Sequence, residues 1–203
     1  MSGRRLAIAL ALLGLLLAGW RWQAVGRRTE ANSVATFAER SLAQALQKFG
    51  GALPRRFLED NLAKLERARK TDPASVEAAV SQAGYLFMLR RHEEAEKVYL
   101  EALEIEKRSE IYANLARLYM QQNRPEDAIA PLLQAIRIDP QMENQLRPML
   151  ENARRAAAAK EAAAQARAAG LPVAEPNEQA IFSDNFESGR LDRWHGVDLG
   201  QKA

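Results

Sequence analysis

The chain has only two histidines and no cysteine, so few of its side chains are suited to metal binding or nucleophilic catalysis. His195 lies near Asp192 and Asp198, a nitrogen-and-carboxylate donor set of the kind that holds a divalent cation, yet the spacing matches no metal-ligand motif. His92 falls at an expected turn and is read as structural. Without cysteine there can be no disulfides, thiolate zinc sites, thiol nucleophiles or lipid-modified N-terminal cysteine. No Gly-rich phosphate loop or G-x-S-x-G elbow occurs. The carboxylate pairs Glu93-Glu94 and Glu126-Asp127 sit where helices should begin, and negative charge there favours the helix dipole. The expectation is a protein that is not an enzyme and that carries no cofactor and no metal.

Charge points the same way. The formal net charge is +3, but residues 1–28 contain Arg4, Arg5, Arg21, Arg27 and Arg28 with no acid, and the stretch from Leu171 has six acids against three bases. The body between is nearly neutral. A phosphate-tracking surface needs clustered Lys and Arg on one face, so no nucleic-acid partner is expected.

The elements that could position any site emerge from periodicity. Taking Ser109 as position 1, Tyr112 falls at 4, Leu115 at 7, Ala116 at 8 and Tyr119 at 11, and then Ala128 at 20, Leu132 at 24, Ala135 at 27 and Pro140 at 32. Glu110 to Pro140 thereby resembles one unit of the tetratricopeptide-repeat family, a helix-turn-helix repeat with a period of about 34 residues. The resemblance implies an all-α array of about two to three helical hairpins plus a capping helix, because one hairpin cannot bury its apolar face alone.

A second unit runs from Val76 to Arg108, with Ala83, Ala95, Tyr99 and Ala102 at positions 8, 20, 24 and 27. It departs from the family pattern at Gln82 (Leu expected at 7), Arg90 (Gly at 15) and Lys107 (Pro at 32). The alanines are expected to let helices approach closely. An earlier pair is expected from Val34, Phe37, Ala38, Leu42, Ala45, Leu46 and Phe49, capped by Asn32 or Ser33 and stopped by Gly50-Gly51. Its second helix opens at Pro54, buries Phe57, Leu58, Leu62, Leu65 and Ala68, and closes at Asp72-Pro73.

After Pro140, the residues Met142, Leu146, Met149, Leu150 and Ala153 read as a capping helix kinked or restarted at Pro148. The alanine-rich segment 154–170 reads as a helix that projects as a spacer or packs weakly, ended by Gly170 and Pro172. The organisation expected is 1–28 as a signal-anchor or signal peptide, 33–153 as the repeat domain, 154–170 as the Ala-rich helix and 171–203 as a tail. Within that tail, Phe182 to Trp194 resembles the opening of laminin-G or concanavalin-like sandwich domains. That resemblance supports an alternative, an exported part of a multidomain protein whose ligand-binding sandwich is missing here.

Leu6 to Trp20 is uncharged and flanked by Arg4-Arg5 and Arg21. Fifteen helical residues rise about 22 Å, short of a hydrocarbon core of about 30 Å, but Trp22 and the arginines can settle in the interface. Two readings stay open, an uncleaved anchor and a signal peptide cleaved after Gly26; the bulky, charged Trp20-Arg21-Trp22-Gln23 favours the anchor. The body is expected on the far, periplasmic side of a cell membrane, or secreted if cleavage occurs.

In the family this chain resembles, the first helices of successive units line a concave groove at positions 2, 5, 9, 12 and 13. Carried over, those positions are Glu77, Val80, Gly84, Phe87 and Met88, then Glu110, Ala113, Arg117, Met120 and Gln121. Phe87, Met88, Ala113, Arg117, Met120 and Gln121 are the expected partner-binding residues. The resemblance implies a membrane-anchored adaptor that holds a protein or peptide in an apolar-leaning groove.

Overall fold

The computed structural model describes residues 3–49 and 53–170, with side chains from Arg21 onward. Gly50-Gly51, the segment from 171 that holds His195 and Phe182–Trp194, and the side chains of Leu6–Trp20 lie outside that description. The described residues form seven helices in order: α1 Gly3–Phe49, α2 Arg55–Thr71, α3 Val76–Met88, α4 His92–Ile105, α5 Ser109–Gln121, α6 Pro125–Ile138 and α7 Glu143–Ala168, with a 3-10 turn at Pro140–Met142. No strand occurs among the described residues. Consecutive helices pack in antiparallel pairs, α3 on α4 and α5 on α6, and α1 lies on both α2 and α3.

The alanines expected at close helix contacts are all in the core. Ala83, Ala95, Ala116 and Ala128 are completely buried, as are Ala102 and Ala135. Between them lie the large buried side chains Leu86, Tyr99, Ile111, Leu118 and Leu132. Small and large residues thus alternate across the helix contacts, which is how close-packed interiors are filled.

Three helix boundaries differ from expectation. No helix starts at Asn32 or Ser33, because α1 runs unbroken from Gly3 to Phe49. Its hydroxyls bond backward along the same helix, Thr29 to the carbonyl of Val25 at 2.9 Å and Thr36 to that of Asn32 at 3.0 Å, so none serves as a cap. The stripe α1 buries is Ala31, Ala35, Ala38, Leu42 and Ala45, while Phe37 and Phe49 are exposed. A run of small residues lets α1 lie close on its neighbours and leaves Phe37 on the flank under the Lys64 ammonium, 5.3 Å from the ring centre.

The second concerns Pro148, expected to kink or restart the helix: it sits inside α7, so the restart does not occur. Proline lacks one N–H, but Leu146, Leu150 and Ala153 hold the helix on the body through buried contacts. The third concerns the alanine-rich stretch, which continues α7 and is tied back to the last pair. The Lys160 ammonium donates to the Asn123 carbonyl at 3.1 Å and to Glu126 at 2.6 Å. Gly170, at φ +67°, comes just after the end of α7 in the left-handed conformation that glycine adopts freely.

The departures from the repeat pattern have local explanations. Arg90 stands where glycine was expected and takes φ +62°, and Asn123, at the equivalent turn of the next pair, takes φ +57°. Asparagine tolerates this conformation, whereas arginine is strained there. Gln82 replaces an apolar residue because it receives Arg69 of the preceding pair at 2.9 Å; the same guanidinium donates to Glu101 at 2.8 Å. One arginine thus joins α2, α3 and α4.

Three stability measurements check this packing. Ala128→Leu should cost about 1–3 kcal/mol in urea unfolding, the usual penalty for overpacking. Lys160→Ala, which removes an exposed ion pair, should cost less than about 1 kcal/mol. Arg90→Gly should raise the unfolding midpoint, since it removes left-handed strain of about 1–2 kcal/mol at an exposed position.

Candidate functional site

The chain order of the pairs decides which first helix can present a surface. α3 is packed by α1, α2 and α4 and buries 11 of its 13 residues. α5 is packed chiefly by α4 and α6 and buries 7 of 13. The same repeat positions therefore differ in exposure between the two units.

Exposure divides the six residues assigned to the groove within each helix. Phe87 is 5% exposed and Ala113 is 1% exposed, so both belong to the core and neither is an open contact. The Phe87 ring meets the edge of His92 with centroids 5.6 Å apart, across the turn between α3 and α4. Burial, and secondarily the charge of Arg90, hold the His92 imidazole below its usual pKa. Met88, Arg117, Met120 and Gln121 are half-buried, and the two methionines lean on the core from its rim.

Arg117 is the cation of this face. It projects from the middle of α5, donates to the Asn114 side-chain carbonyl at 2.8 Å, and interacts with the buried phenol of Tyr99. Burial lowers its pKa from the ordinary arginine value. The side-chain oxygen of Gln121, one turn further along, is buried without a hydrogen-bond partner. The C-terminal half of α5 thus combines two polar groups with two adaptable thioethers.

The opposite end of α3 and α5 is acidic, which spacing alone did not bring out. Arg108 donates to Glu77 at 3.0 Å and to Glu106 at 2.6 Å, and lies 3.7 Å from Glu110. Burial raises the Glu110 pKa, and the nearby charges of Glu39 and Glu77 push it the same way. These groups come from α1, α3, α5 and the α4–α5 loop, so only the assembled array gathers them.

A further cleft, also missed in the sequence, opens between α4 and α6 over α5. Leu100, Leu103, Tyr112, Leu115 and Pro131 line its apolar part, with a volume of about 440 Å³. Its end is closed by Arg124, which stacks 4.5 Å from the Tyr119 ring centre and donates to Glu96 at 2.9 Å and Asp127 at 2.6 Å. The Tyr119 hydroxyl donates to Glu96 at 3.0 Å, and burial helps push its pKa up to about 12. The sequence signal was Leu100, an apolar residue on the exposed side of α4. Among the described residues, no group of three His, Asp or Glu side chains could hold a metal.

The tetratricopeptide-repeat family profile matches residues 109–142, the α5–α6 pair with its closing turn. The α5–α6 pair therefore carries a tetratricopeptide repeat. Among solved structures it is similar to a thermophilic tetratricopeptide-repeat protein of Thermus thermophilus, at 22% identity over 73% of this chain and 76% of that one, with a TM-score of 0.46. No curated protein matches it. The preceding pair, α3 and α4, lies outside the matched residues and carries the departures at Gln82, Arg90 and Lys107.

Two variants test the division between core and rim. Phe87→Ala should cost about 3–5 kcal/mol in chemical denaturation, the cost of truncating a buried phenylalanine. His92→Phe should remove a pH dependence. With its folded pKa lowered, His92 binds fewer protons folded than unfolded, so parent stability should fall as pH drops from about 6.5 toward 5. The variant should hold its stability across that interval.

Proposed function

We propose that this protein is a non-enzymatic scaffold that captures a protein or peptide segment on the face formed by Met88, Arg117, Met120 and Gln121. The carrying observation is the partial exposure of these four residues on the first helices of a tetratricopeptide array, where the neighbouring positions are core. Methionine side chains adapt to varied apolar partners, and Arg117 with Gln121 offers a hydrogen-bonding register for a backbone or carboxylate. The partner is an extended or helical segment with apolar side chains, and its capture depends little on salt because little of its energy is Coulombic.

The same reading places the protein at a cell membrane through Leu6–Trp20, with its body on the periplasmic side. An uncharged run flanked by arginines and tryptophans supports this placement. Among the described residues, no helix is long and apolar enough to cross a membrane, and the support therefore comes from the sequence of the run itself.

Photo-crosslinking separates the capture face from the rest of the surface. A crosslinking residue at Met120 should trap a discrete partner in membranes, and one at Leu133, exposed on α6, should not. Trapping at Leu133 alone would move the binding surface to α6. The full chain should also resist a carbonate wash, whereas a chain beginning at Arg27 should be released; native protein that itself begins at Arg27 would replace the anchor with a cleaved signal.

A further inference from the structure

We propose that α1 joins the membrane run and the repeat body into one rod, which turns the N-terminal ends of α3 and α5 toward the bilayer and the Met88–Met120–Gln121 end away from it. This rests on the membrane placement above and adds an orientation to it. The membrane-facing surface would be the α2–α3 turn with Asp72 and Ser75, together with the α4–α5 loop at Lys107.

Two observations carry the inference. The first is continuity. α1 has no cap, proline or described break between Arg21 and Phe49, and Thr29, Ser33 and Thr36 all bond to carbonyls of their own helix. Trp22 is 82% exposed and Val25 63% exposed, so the helix has left the body by that point, and a tryptophan there suits the headgroup layer.

The second is the set of bonds fastening α1 to the α2–α3 turn and to α3. Arg28 lies 3.4 Å from Asp72, the Asn32 and Ser75 side chains are hydrogen-bonded at 2.8 Å, Ser81 donates to Glu39 at 2.9 Å, and the Tyr85 hydroxyl donates to the Ala38 carbonyl at 2.8 Å. Residue numbers rise together on both helices, so α1 and α3 run parallel. The Arg108–Glu77 bond sets the start of α5 beside the start of α3. The starts of α3 and α5 therefore share the end of the body from which the N-terminal half of α1 emerges.

Helix rise sets the distances. Six residues separate Trp22 from Arg28, about 9 Å at 1.5 Å per residue. The α2–α3 turn therefore lies close above the headgroups when α1 stands upright, and the far end of α3 lies about 20 Å beyond it.

The absence of cysteine makes the test direct. Lys107→Cys and Glu93→Cys place single labels at opposite ends of α4, about 20 Å apart by helix rise, at two exposed positions. Each full chain, carrying a donor dye, is reconstituted into phosphatidylcholine–phosphatidylglycerol vesicles with acceptor-labelled headgroups. The expected result is stronger energy transfer from position 107 than from 93, with the two values converging when a four-residue Gly-Ser linker is inserted between Gly26 and Arg27. Equal transfer, or stronger transfer from 93, in a chain that floats with the vesicles overturns the orientation alone. An unchanged difference after the insertion overturns the rod. A chain that does not float with the vesicles overturns the membrane placement and this inference with it.

Discussion

The close approach of paired helices at fully buried alanines is the contact on which the rest of this structure depends. A helical hairpin has one wide apolar face and cannot cover it by itself. Ala83, Ala95 and Ala102 on the α3–α4 pair, and Ala116, Ala128 and Ala135 on α5–α6, are completely buried, and side chains that small allow packed helices to approach closely. The larger side chains Tyr85, Tyr99, Leu118 and Leu132 then fill the space that remains. A bulkier residue at any of these points would tilt a helix and displace every later pair.

Polar bonds fix the register that apolar contacts leave loose. Arg69 ties α2 to α3 and α4, and Arg124 with Tyr119 ties the α5–α6 turn to Glu96 on α4. Both arginines lie partly shielded at seams between successive pairs, where a hydrogen bond to a charged group is worth more than at an open surface. The sequence leaves the repeat pattern at Gln82 to complete one of these seams. Gln82 thus marks a structural joint.

That face owes its character to position in the array. α3 is packed by α1, α2 and α4, and its groove positions Val80, Gly84 and Phe87 are core while Met88, at its end, stays half-buried. Among the described residues, α5 has no equivalent of α1 beside it and keeps Arg117, Met120 and Gln121 partly open. The acidic cluster of Glu77, Glu106 and Glu110 around Arg108 occupies the other end of the same two helices. An apolar, weakly polar end and an acidic end on one surface suit recognition of a segment in a defined direction.

The sequence alone determined the helical hairpins, their 33-residue spacing and the identity of the buried alanines, because helix periodicity and small-residue spacing are local properties of the chain. Gly170 after α7 could be read for the same reason. It did not determine whether a given groove position is open. Phe87 and Met120 occupy the same repeat position, yet one is core and the other rim, on helices with different neighbours: α3 is packed by α1, α2 and α4, and α5 chiefly by α4 and α6. Nor did it show that α1 is a single helix, since Asn32 and Ser33 have the chemistry of caps. Tertiary contact decided that Asn32 would bond Ser75 on α3 while the helix ran on. Local chemistry specifies the units, and burial by distant neighbours specifies which of their surfaces remain available to a partner.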